Sequence, residues 1–111
     1  MNDEKIFNET IYVIRMIKSL LNIAEYEKLK EKKISVSTLP EEKRIKLAPA
    51  IFDRNMLNYT SNDYIEMLQE YSKTYIKKVN NYYKTEFNTL NDCLIFVGNK
   101  MKERSGKRGF Y

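Results

Sequence analysis

The sequence predicts an all-α protein, a single-domain helical bundle with two long helices and two short middle helices. Three observations lead there. Apolar residues recur at three- and four-residue steps through most of the chain, the spacing of one helix face. Three glycines and two prolines in 111 residues leave little material for the turns of a β-rich fold. A composition of 42% hydrophobic and 32% charged residues is that of a folded soluble protein, and the length suffices for one core.

Helix one is expected to begin at Asn2 or Asp3, with Asp3 and Glu4 at the positive end of its dipole. Ile6, Thr10, Val13, Ile14, Ile17, Leu20, Leu21 and Ala24 form its apolar face, which Ile11, Tyr12, Met16 and Ile23 widen. So broad a face belongs in the centre of a fold or against another chain. Arg15 and Lys18 interrupt the run, which is shorter than the roughly 20 apolar residues of a membrane span. No membrane insertion is expected. From Glu25 to Lys33 only Tyr26 and Leu29 are uncharged, so the helix runs on there as a solvated extension.

Ile34 to Leu39 alternates apolar and hydroxyl residues before Pro40, the pattern of an extended connector or a short strand. Thr38 and Glu41 have capping-box spacing, which places a second helix over 39–47. Ala48 precedes Pro49 and is pushed from helical angles, which ends or kinks that helix. A third helix over 50–58 then carries Ile51, Phe52, Met56 and Leu57 toward the core. Two short helices and a tight turn invite comparison with a helix-turn-helix. The turn lacks glycine, and the second helix offers a groove only Arg54 and a few asparagines, so a packing role is the better reading.

Thr60-Ser61-Asn62-Asp63 is a start signal for a long apolar seam, which runs through Leu68, Ser72, Ile76, Val79, Tyr83, Leu90, Leu94, Val97 and Met101. Tyr64, Tyr71, Tyr75 and Tyr82 lie about 80° from its centre, where a tyrosine buries its ring and keeps its hydroxyl wet. Lys73, Lys77 and Lys84 fall on the far side. Unbroken from Thr60 to Arg104, the helix would extend about 66 Å, whereas a domain of this size has a radius of gyration near 13 Å. A break is therefore expected near Asn88, where Thr89 and Asp92 repeat the cap signature. The domain is placed at 1–104 and a basic, flexible tail at 105–111. The minor alternative is a hairpin over 97–111, which would make a winged helix.

The chemistry is bounded by what is missing. There is no histidine and one cysteine, Cys93, so a structural zinc site is excluded, as is a histidine-activated nucleophile. Gly106-Lys107 fails as a phosphate-binding loop because residue 101 is Met and residue 108 is Arg. Neither enzymatic activity nor a metal, cofactor or small-molecule substrate is expected. The amino-terminal residues do not read as a signal peptide, and a cytoplasmic setting is expected.

The net charge of +5 is unevenly spread. Residues 1–99 carry 15 basic and 14 acidic side chains, whereas 100–111 carry five basic residues against Glu103. The expected function is that of a non-enzymatic accessory protein that binds nucleic acid or a nucleoprotein complex through this segment. Lys100, Lys102, Arg104, Lys107 and Arg108 would meet phosphates, and Phe110 and Tyr111 would stack on bases. The alternative is an inhibitor, immunity-type or assembly module, itself a possible homodimer, acting through a helical face formed by Tyr64, Tyr71, Tyr75, Lys78 and Tyr82. Lys, Asn, Ile and Tyr supply 46 residues, the drift of an AT-rich genome, so abundance of lysine or tyrosine is no evidence for either. Size and helical content resemble those of the small accessory proteins of phages, plasmids and bacteriocin systems, but no motif is specific enough to assign a family.

Overall fold

A computed structural model describes residues 3–105, with only the backbone of Ser105. The protein is an all-α helical bundle, with four helices among the described residues: α1 (Asp3–Glu31), α2 (Glu41–Met56), α3 (Ser61–Tyr83) and α4 (Leu90–Ser105). A 3₁₀ turn at Val36–Thr38 precedes α2, and no strand occurs among the described residues. The expected break in the last long helix is present between Tyr83 and Leu90. At its far side the Asp92 amide donates to Thr89 Oγ1 at 3.2 Å, the cap the sequence signalled. Val97–Ser105 is helical, so no hairpin forms over those residues, and Gly106–Tyr111 lie outside the described part.

The chain forms two compact units: residues up to Ile14 with those from Gln69 onward, and Arg15–Leu68. α1 and α3 each contribute to both. In the first unit the buried side chains are Ile6, Thr10 and Val13 of α1, Tyr75 and Val79 of α3, and Cys93, Val97 and Met101 of α4. Cys93 is wholly buried, and burial raises its thiol pKa. In the second unit the buried side chains are Met16, Ile23 and Tyr26 of α1, Leu47 and Ala50 of α2 and Tyr64 of α3, with Ile23, Ala50 and Tyr64 packed in one cluster. Met16 and Ile23, expected on the flank of helix one, are thus core residues, while Leu21 is 62% exposed.

The middle of the chain differs from expectation. There is one helix where the proline predicted two, and Pro49 lies inside it. A proline here removes the bond to the Ile45 carbonyl and costs about 3 kcal/mol relative to alanine. Both Pro49 and Ile45 are exposed, which leaves that carbonyl on the solvent side. Continuing the helix keeps Leu47 and Ala50, three residues apart, on one face inside the core. With no turn at Ala48-Pro49 there is no helix-turn-helix. The expected cap at Thr38 is also absent: its hydroxyl donates to Ser35 O at 2.7 Å within the 3₁₀ turn, and Pro40 precedes α2 with no side-chain cap. The connector is therefore a 3₁₀ turn flanked by extended residues, Ser35 and Leu39, and not a strand.

Scarcity of glycine shows at the helix ends. Lys33, Asn58 and Lys84 adopt φ near +60°, the left-handed conformation usually given to glycine. After α1 the Ile34 amide reaches Leu29 O at 2.9 Å and the Lys33 amide reaches Lys30 O at 3.0 Å, a Schellman closure built on lysine. The start of α3 is secured twice. Thr60 N and Oγ1 both donate to Asp63 Oδ2, at 2.7 and 2.8 Å, and Asp63 N donates back to Thr60 Oγ1 at 3.2 Å. Ser61 N and Oγ donate to the Glu27 carboxylate of α1 at 3.2 and 2.6 Å, so this helix's positive end already holds an anion.

Candidate functional site

The tyrosines proposed as one surface column do not share one environment. Tyr75 is 1% exposed, and its hydroxyl lies 2.5 Å from Thr10 Oγ1. Thr10 spends its own proton on Ile6 O at 2.8 Å, so Tyr75 is the donor. Burial pushes the Tyr75 phenol up to about 12. Tyr64 is also buried, and its hydroxyl donates to Asp53 Oδ2 at 3.0 Å. The expectation of wet hydroxyls at a seam edge is corrected for both, because a threonine and an aspartate inside each unit supply the acceptor that water would have provided. Tyr71 is half-buried against Tyr12, with ring centroids 5.1 Å apart, and Tyr82 is half-buried against Tyr83 at 4.8 Å. Lys78 is exposed and held 2.6 Å from Glu9 Oε1.

Most of the basic residues in the described end of the chain are engaged within their own unit. Lys100 is half-buried, its Nζ 5.3 Å from the centre of the Phe96 ring and 6.0 Å from that of Tyr83. Arg104 stands 3.5 Å from Asp3 Oδ2 and over the Phe7 ring. Asp3 also accepts from the Tyr83 hydroxyl at 3.1 Å. Lys102 is exposed on the opposite side, beside a shallow groove with Ile14, Ile95 and Gly98. Lys107, Arg108, Phe110 and Tyr111 lie outside the described residues.

A cleft in the same unit was not foreseen. It has a volume of about 450 Å³ and brings Lys5 of α1 beside Lys78 and Lys84, with Glu9, Asn81 and Tyr82 in its walls. Lys77, Lys78 and Lys84 are visible in the sequence as a loose cluster, but nothing local signals that Lys5 joins them. Glu9 offsets part of the charge, and its Oε2 is buried without a hydrogen-bond partner among the described residues.

The most conspicuous surface is on α2. Ile45, Pro49, Phe52 and Met56 follow one another at steps of four, three and four residues, within about 60° of one another on the helix. All four are exposed, Ile45 by 66%, Phe52 by 56% and Met56 by 68%. Leu47 and Ala50, the buried pair, project to the opposite side. The sequence expected Phe52, Met56 and Leu57 in the core, and the correction has a simple cause. Once α2 is continuous through Pro49, its apolar residues fall on two opposite faces, of which the unit covers only the one bearing Leu47 and Ala50. Leu57, just past the helix, is 52% exposed. A helix apolar on both sides is normally covered on both, and such a contiguous exposed patch marks an interaction surface. Lys46 and Asp53 flank the stripe on one side.

Among the described residues there is no group of three or more potential metal ligands and no helix long and apolar enough to cross a membrane. No family model, curated protein or solved structure matches the chain.

Proposed function

We propose that the protein is a non-enzymatic interaction module whose working surface is the outer face of α2. The observation that carries this reading is the stripe Ile45-Pro49-Phe52-Met56, exposed on a helix whose other face is already packed. Its spacing alternates four and three, which suits a second amphipathic helix laid along it with apolar residues at the same repeat. The partner helix should carry an acidic residue opposite Lys46 and a basic one opposite Asp53. This is the protein-binding reading of the sequence with its surface moved from the tyrosines to α2.

The test uses a benzophenone side chain placed at position 52 in the cell that makes the protein, with position 73 as an exposed control. Light should join position 52 to a single polypeptide, and that polypeptide, once purified, should bind the natural protein and lose affinity at least about tenfold for Phe52→Lys. Adducts at 52 no more specific than those at 73 would sink the reading.

A second reading has one observation in its favour. The cleft of Lys5, Lys78 and Lys84, together with Lys102 and the basic residues that follow, offers cations to a phosphate backbone. Binding to random nucleic acid that falls steeply with added salt, and is lost in Lys5→Glu/Lys84→Glu, would favour it. The engagement of Lys78, Lys100 and Arg104 within the unit ranks it second.

A further inference from the structure

We propose that the helix received by the α2 stripe is α2 of a second copy of this chain, packed antiparallel about a two-fold axis between Pro49 and Phe52. This inference rests on the stripe being a working surface, as argued above, and names its occupant.

The residues of α2 meet the requirements of a self-complementary contact. In an antiparallel pair one register seats Ile45 against Met56 of the second copy and Pro49 against Phe52 of the second copy. Each contact then occurs twice by symmetry, as an isologous interface demands. Four apolar layers result, each pairing different side chains, so no residue has to fit against its own duplicate. The flanking charges agree with the same register. Lys46 carries no ion pair among the described residues, and antiparallel packing brings it to Asp53 of the second copy. Asp53 accepts one bond from Tyr64, and a carboxylate has capacity for more. The other flank presents Ala48 and Asn55, which introduce no like charges.

A parallel pair of the same helices is disfavoured because it aligns their dipoles, whereas antiparallel packing opposes them. Four layers on a single helix pair bury less than the roughly 800 Å² per partner of a standard interface. The association is therefore weak and concentration-dependent, with a dissociation constant on the order of tens of micromolar.

Cysteine pairing reads the orientation directly. The one natural thiol, Cys93, is fully buried and serves as an unreactive background. Ile45→Cys and Met56→Cys proteins, each exposed at the altered site, are treated with a short bismaleimide separately and mixed. The antiparallel pair gives covalent dimer in the mixture and little in either protein alone, because like positions are then about 16 Å apart along the helices. Adding Phe52→Lys to both should reduce the product at least about tenfold. Dimer from Ile45→Cys alone would show a parallel pair and overturn the proposal. So would a lack of product in every tube with the natural protein sedimenting as a monomer at about 500 μM, far above the expected dissociation constant. In that event the photochemical experiment at position 52 still decides whether another polypeptide uses the stripe.

Discussion

α2 and the described part of α4 each span 16 residues, and their apolar residues are placed differently. α4 buries Cys93, Val97 and Met101 in one row of four-residue steps, and Ile95 is its one large apolar side chain exposed above half. α2 buries only Leu47 and Ala50, and turns Ile45, Phe52 and Met56 outward. α4 therefore spends its apolar residues on folding. α2 keeps most of its own in reserve, although leaving them in water gains nothing for the isolated chain. The difference is what supports the proposal that α2 is an interaction helix, without any appeal to a motif.

The comparison can be broken at its inner faces first. Met101→Ala in α4 and Leu47→Ala in α2 each remove a buried side chain, and each should lower unfolding stability by about 3 kcal/mol. Urea titration measures this, and a cost below about 1 kcal/mol at Leu47 would mean that α2 is scarcely docked. Pro49→Ala should act in the opposite direction. It restores the missing helix bond and should stabilise the isolated chain by about 2 kcal/mol, after allowance for a looser unfolded state.

Next in size is Tyr75→Phe, which removes a buried donor while Thr10 keeps its bond to Ile6. It should cost about 1 kcal/mol. The phenols of Tyr64 and Tyr75 both stand near 12, raised chiefly by burial, against about 10 when unfolded. Their neutral forms favour the folded state fully below pH 10, and that contribution is lost as pH rises toward 12. Absorbance at 295 nm should therefore show these tyrosines ionising together with the loss of helical circular dichroism. Ionisation of all the tyrosines near pH 10 with the helices intact would contradict their burial. Smaller again is Gly98→Ala on α4, where an added methyl meets nothing within 4 Å, and a gain of up to about 1 kcal/mol is expected.

Periodicity was a good guide where one face of a helix meets one core. It located α1, the start of α3 at Thr60-Ser61, and the break before Leu90, because caps and apolar spacing are local in sequence. It failed at Pro49, since a local rule against proline was outweighed by placing Leu47 and Ala50 on one buried face. It failed at Tyr64 and Tyr75 because a wheel cannot tell which distant side chain, Asp53 or Thr10, will accept a hydroxyl. The α2 stripe was hidden for a related reason. Phe52 and Met56 look like core residues until the helix is known to be continuous and one of its faces already filled.

The central claim is that α2's outer residues serve association and not folding. Sedimentation and thermal unfolding of the natural protein and of Phe52→Lys, each from about 5 to 500 μM, test it most directly. The natural protein should approach twice the monomer mass and melt higher as concentration rises. Phe52→Lys should remain monomeric, its stability matching that of the dilute natural protein within about 0.5 kcal/mol. Extensive unfolding of Phe52→Lys, or equal masses for the two proteins at every concentration, would contradict the account.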